Sequence, residues 1–197
     1  MKASKKTWLW EISREDLPGT HYLFGTVHIK SEKVFRWLEP AFEFLDQCET
    51  VATEYDLGEN SGKNPLQTLQ TDPDYRLSEV LRPKKFSRLE RIFFEATGLQ
   101  LILYDKVHPF ILISLITQAV LPSERPRAMD EEIWLRALNN GKQTCGLETL
   151  ASQMNLILEM DQSYFVDQLK ALGRNFSRFK SRQNKLVDLY TLGDLPK

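Results

Sequence analysis

Apolar and polar residues alternate over "TWLWEIS", residues 7–13, well enough for a strand, and the apolar run "THYLFGTVHI", residues 20–29, reads as a second one. Asp16-Leu17-Pro18-Gly19 lies between them as a turn signal, so the spacing predicts an N-terminal β-hairpin. From 34 to 47 the period lengthens, and Val34, Trp37, Leu38, Phe42 and Leu45 fall at helical spacing. Pro40 fits this run only if a short first turn ends there and a second helix begins. "CETVATEYD", Cys48 to Asp56, is apolar and β-branched enough for another strand, and "LGENSGKNPLQ" after it is a loop.

From about Leu77 the pattern is helical. "RPKKFSRLERIFFEATG" puts Phe86, Leu89, Ile92 and Phe93 on one face, with Gly98 as its C-terminal cap. Residues 100–121 read as helical on both sides of Pro109, "PSERPRAM" as a loop, and "DEEIWLRALNNG" as a helix started by Asp130 and stopped by Gly141. "KQTCGLET" reads as a third strand region. Residues 150–192 read as two helices, the second bearing Leu169, Leu172, Phe176 and Phe179. Strand runs separated by helices predict a mixed α/β domain, its mixed β-sheet made of an N-terminal hairpin plus strands near 48–56 and 143–148 and packed with several helices.

Composition narrows the class. The 197 residues contain no Pro/Gly/Ser-rich linker, so one domain over 1–197 is expected. With 42% hydrophobic residues, 27% charged and a net charge of -1, the bulk electrostatics favour neither nucleic acid nor an anionic membrane. The basic, aromatic run "KALGRNFSRFKSRQNK" is that of an amphipathic helix, apolar on one side and charged on the other. "FILISLITQAVL", 110–121, is shorter than the about 20 residues of a membrane span and reads as a buried helix. "MKASKKTWLWEIS" has a basic start but no apolar segment of signal-peptide length, which predicts a cytoplasmic protein, or a periplasmic or exported one if a leader has been removed. Cys48 and Cys145 form no Cys-x-x-Cys pair and read as two small buried hydrophobes.

Candidate chemistry sits where the predicted strands end: His28 after "YLFGTV", Glu54 after "TVAT" and Glu148 after "TCGL". Sites in α/β sheets gather at strand ends, so these residues are expected to converge on one cleft. One imidazole and two carboxylates suit a hard metal or an acid/base pair. Each residue also has a plainer role. His28 is a metal ligand, a catalytic base or a structural histidine; Glu54 and Glu148 are site residues or solvated carboxylates; Asp130 is a site residue or the N-cap of its helix. His108, beside Pro109, reads as structural, and His21, near the hairpin turn, as exposed. There is no His-Glu-x-x-His, Gly-x-Ser-x-Gly, phosphate-binding glycine loop or zinc-ribbon spacing.

"LWEIS…HYLFGTVHIKSEKVF", "ETVATEYDL" and "AMDEEIWLRALNNGKQTCGLETLASQ" together resemble the TraB/GumN family, to which the TIKI metalloproteases are related, over Leu9 to about Gln153. The resemblance implies a TIKI- and erythromycin-esterase-like fold and a bacterial divalent-metal-dependent hydrolase, with manganese or cobalt favoured and peptides among its candidate substrates. It makes Gly25 and His28 the family's first Gly-x-x-His, with Glu54 its acidic companion, and matches Asp130 and Glu148 to the acidic positions of the "D…A…GK…GLET" segment. The implied catalytic set is His28, Glu54 and Glu148, and the implied metal ligands are His28, Glu54, Asp130 and Glu148. The family pattern carries a second Gly-x-x-His further on, whereas no histidine follows His108 here. A domain incomplete at its C-terminal end relative to the family is therefore expected. That keeps a second class open: a non-catalytic binding or regulatory domain with the family fold. The partner expected is a peptide or small-molecule substrate, with no nucleic acid and no transmembrane segment.

Overall fold

A backbone reversal at Glu15-Asp16 pairs β1 (Leu9–Arg14) with β2 (Leu17–Phe24) as an antiparallel hairpin, Leu9 opposite Phe24 and Ile12 opposite His21. The structure, a computed structural model, describes residues 7–58 and 74–193. The expected hairpin is present, but its turn precedes Leu17, and Leu17-Pro18-Gly19 open the second strand. In a two-stranded ribbon each strand has a free edge, so a proline near the strand start need cost no ladder bond.

Next in sequence come α1 (Glu32–Phe35), α2 (Leu38–Leu45) and β3 (Thr50–Tyr55). Most of the loop expected at 57–67 lies outside the described residues. After it stand α3 (Leu77–Val80), α4 (Pro83–Thr97), a 3₁₀ turn (Leu101–Tyr104) and α5 (Pro109–Val120). Then follow α6 (Met129–Asn139), β4 (Gln143–Glu148), α7 (Leu150–Glu159), α8 (Gln162–Arg174) and α9 (Phe176–Leu192). This is a mixed α/β content, with the described strands divided between two two-stranded sheets, β1-β2 and β3-β4.

Three expectations about helices need correction. Pro40 is the third residue of α2, where backbone N–H groups lack intrahelical acceptors, so the break falls earlier, at Arg36-Trp37. Residues 150–192 form three helices rather than two. Asn175 leaves helical geometry (φ -144°, ψ 72°) and its Oδ1 accepts the Arg178 N–H at 3.0 Å, so Leu169 and Leu172 lie on α8 but Phe176 and Phe179 on α9. Asp130 is not the N-cap of α6; Ala128 holds that place, and Glu131 Oε2 accepts the Ala128 N–H at 2.7 Å. Gly98 does cap α4 in the left-handed region, at φ 73°.

The protein divides into two compact units, one of Met1–Glu59, Pro122–Glu148 and Asn184–Lys197, the other of Asn60–Leu121 and Thr149–Gln183. In the first, β3 and β4 run parallel, Thr50 opposite Gln143, Ala52 opposite Cys145 and Tyr55 opposite Glu148, and α6 packs on both strands and on α2. Alternation leaves Val51, Thr53 and Tyr55 half-buried and turns Thr50, Ala52 and Glu54 outward, with Cys145 and Leu147 outward on β4. Cys145 is therefore exposed and Cys48 only half-buried, its thiol donating to the Phe44 carbonyl at 3.3 Å, which corrects the expectation of two buried cysteines.

The second unit has an apolar core in which Leu77, Leu89, Phe93, Leu101, Leu112, Ile116 and Leu169 are buried. Removing each of these from water contributes about 1.5–3 kcal/mol. Asp105 holds α3 in place: its carbonyl accepts the Leu77 N–H at 2.9 Å, and its carboxylate accepts the Ser78 N–H and hydroxyl, each at 2.7 Å. His108 is structural, as expected. It caps α5 through Nδ1, which accepts the Phe110 N–H at 3.3 Å, and lies edge-on to Phe165, and burial lowers its pKa. Among the described residues no helix is long and apolar enough to cross a membrane.

Candidate functional site

Strand β2 ends at Phe24, so His28 is not a strand-end residue; it lies in the irregular segment between β2 and α1. That segment is tied to a stretch almost a hundred residues away. Lys30 and Ser123 form an isolated parallel bridge, Arg125 N donates to the Lys30 carbonyl at 2.9 Å, and Lys30 Nζ donates to the Pro126 carbonyl at 3.1 Å. Arg125 also pairs with Glu32 at 2.8 Å, and Glu124 accepts the Glu32 N–H at 2.9 Å. The stretch so tied runs directly into α6, whose second residue is Asp130.

This zipper brings His28 and Asp130 together. His28 Nδ1 lies 3.2 Å from Asp130 Oδ1, with 57% of the histidine side chain exposed and only 11% of the aspartate's. A carboxylate accepts but does not donate, so Nδ1 carries the hydrogen and Nε2 is the basic nitrogen of the neutral ring. The Asp130 hydrogen bond raises the His28 pKa most; partial burial opposes it, and the charges of Asp130, Glu54 and Glu131 add to it.

The pair stands at a cavity of about 450 Å³. Tyr22, Phe24, Phe44, Leu45 and Ile133 give it apolar walls, and His28, Glu54, Tyr55 and Asp130 supply its polar chemistry. Tyr55 keeps its phenolic proton to higher pH than usual, first through burial and then through the charges of Asp130, Glu131 and Glu54. Three of the four residues singled out from the sequence thus share one cavity. The fourth, Glu148, ends β4 opposite Tyr55 and is exposed, but it does not line the cavity. Among the described residues no three His, Cys, Asp or Glu side chains stand where they could hold a metal ion together.

The model of the TraB/PrgY/gumN family matches residues 8–197. The protein belongs to the TraB/PrgY/gumN family. No significant match to it was found among curated proteins or solved structures. In this TraB/PrgY/gumN family member, Gly25 of the Gly-x-x-His segment accepts a 2.6 Å hydrogen bond from the Tyr190 hydroxyl through its carbonyl, while its N–H donates to the Trp8 carbonyl at 2.8 Å. Gly146 of the Gly-Leu-Glu-Thr segment lies so close to β3 that a Cβ there would stand 2.2 Å from Asp56 N and 2.7 Å from the Tyr55 carbonyl carbon. Tyr55 and Glu131 near His28, and Tyr190 against Gly25, carried no sequence signal. Tyr55 sits inside a strand pattern, Glu131 inside a helix start and Tyr190 on a distant amphipathic helix.

Proposed function

We propose that the cavity is a hydrolytic active site in which His28 is the general base. The observation that carries this reading is the 3.2 Å approach of His28 Nδ1 to Asp130 at the cavity edge. Asp130 holds the ring in the tautomer that leaves Nε2 free to take a proton from water, and it stabilises the imidazolium that results. The activated water attacks an acyl carbonyl, and the proton gained by His28 is returned to the leaving group. Glu54 adds negative charge that favours the protonated ring. The apolar walls suit a substrate with a hydrophobic group beside the scissile bond, with peptides and small esters both in range.

A divalent metal, manganese or cobalt, belongs to the family-based form of this reading, with His28, Glu54, Asp130 and Glu148 as its proposed ligands. The donor chemistry is suitable, but Glu148 lies outside the cavity, and among the described residues no three such donors stand together. Calorimetric titration with each metal, beside a hydrolysis assay on a panel of peptides and esters with and without chelator, separates the two forms. The acid–base form expects turnover that survives chelation and falls by about 10²–10⁴-fold in His28→Ala. The metal form expects binding that His28→Ala abolishes and turnover that chelation stops. Binding of panel compounds without turnover in either condition would point to the rival class, a non-catalytic binding domain.

A further inference from the structure

Tyr190, near the C-terminal end of α9, touches both segments that carry the catalytic pair. Its hydroxyl donates to the Gly25 carbonyl at 2.6 Å and lies 3.3 Å from Met129 Sδ. Gly25 begins the irregular segment that reaches His28 three residues later, and Met129 immediately precedes Asp130 at the start of α6. The tyrosine is itself firmly held. Its ring stacks on Trp8 with centroids 4.5 Å apart and planes 10° from parallel, and its carbonyl accepts the indole N–H groups of Trp8 at 2.7 Å and Trp37 at 3.2 Å. Tyr190 is 6% exposed.

The geometry points to Tyr190 as the positioning residue of the His28–Asp130 pair, its hydroxyl fixing the start of the histidine segment against the start of α6. The Lys30–Ser123 bridge and the Arg125–Glu32 pair secure the other end of the same segment, so the histidine is held between two anchors. Such a clamp is needed because 3.2 Å is already the long limit of a good N–H···O bond, and a few tenths of an ångström more would release Asp130. A phenol suits the task better than a charged group in a buried site. It donates one directed bond, and burial raises its pKa so that the proton stays in place.

This inference rests on the same pair as the proposed function, but its test reads the ring rather than turnover, so the two can fail separately. Protein labelled with ¹⁵N in its histidine rings, at a pH where His28 is neutral, reports which nitrogen carries the hydrogen, and His28→Ala assigns the signal. The wild type is expected to show His28 mainly as the Nδ1–H tautomer. Tyr190→Phe, which keeps the ring stack and loses only the hydroxyl, should shift the population toward Nε2–H. Val187→Ala, a buried truncation on the same helix, should lower thermal stability without moving the tautomer. An unmoved tautomer in Tyr190→Phe, or an equal shift in Val187→Ala, would overturn the inference. Should Tyr190→Phe fail to fold, Met129→Leu removes the sulfur at nearly constant volume. A smaller shift of the same sign is then expected, and none would be equally fatal.

Discussion

His28 owes its chemistry to three carboxylates from two different elements: Glu54 on β3, and Asp130 and Glu131 in the first turn of α6. All three raise its pKa above the ordinary 6.5, so the ring becomes a competent base only above that raised value. Asp130→Asn removes the largest contribution. The His28 pKa should fall toward 6.5, followed by NMR titration of the ring, and the acid limb of any hydrolytic rate profile should move to lower pH while the maximal rate drops. For stability the sign is opposite. A raised folded-state pKa means that the His28–Asp130 attraction is fully present below about pH 6.5 and is lost as pH rises through the raised value. The difference in urea midpoint between wild type and His28→Ala should therefore shrink as pH rises. More than half of the ring is exposed, which keeps the effect small.

At the scale of elements, β3 and β4 carry the most demanding local geometry. Gly146 faces Thr53 across the parallel pair, and the β3 backbone leaves no room there for a side chain. Gly146→Ala would have to push the strands apart. A loss of about 3 kcal/mol or more is expected from urea unfolding, well beyond the usual effect of a single methyl group, and a change within error would show that the strands can part at little cost. The sequence marked this glycine only as part of a motif, because the distance that makes it necessary belongs to the partner strand. Helix α6 teaches a related lesson. An aspartate before a helical run is a good N-cap on local grounds, yet the cap is Ala128, with Glu131 reaching back, and Asp130 is the second residue of the helix, where it faces His28.

For the whole molecule, each unit is assembled from separated stretches of sequence, three for the first and two for the second. The second unit depends on apolar faces of α3, α4, α5 and α8 closing on one another, and Leu169 is fully buried among them. Leu169→Ala should cost about 2–5 kcal/mol, measured as a lower urea midpoint with faster amide exchange in α4, α5 and α8. The faces of these helices were legible in the sequence because the period of 3.6 residues follows from the helix itself, whereas the hairpin's burial was not: Leu9 and Trp10 are half-buried side by side and Ile12 is exposed, because a two-stranded ribbon covers little of either face. Family membership was legible, since motifs are runs of adjacent residues. Whether one helix or two followed Asp161 turned on a capping bond at Asn175 that periodicity does not contain. The sequence by itself determined the α/β class, the helical faces and the candidacy of His28, Glu54, Asp130 and Glu148. Tertiary structure alone decided that Asp130 is the partner of His28, that Glu148 stands outside their cavity and that Tyr190 holds the pair, because contacts between residues 102 to 165 positions apart are set by how elements pack and leave no trace in local spacing.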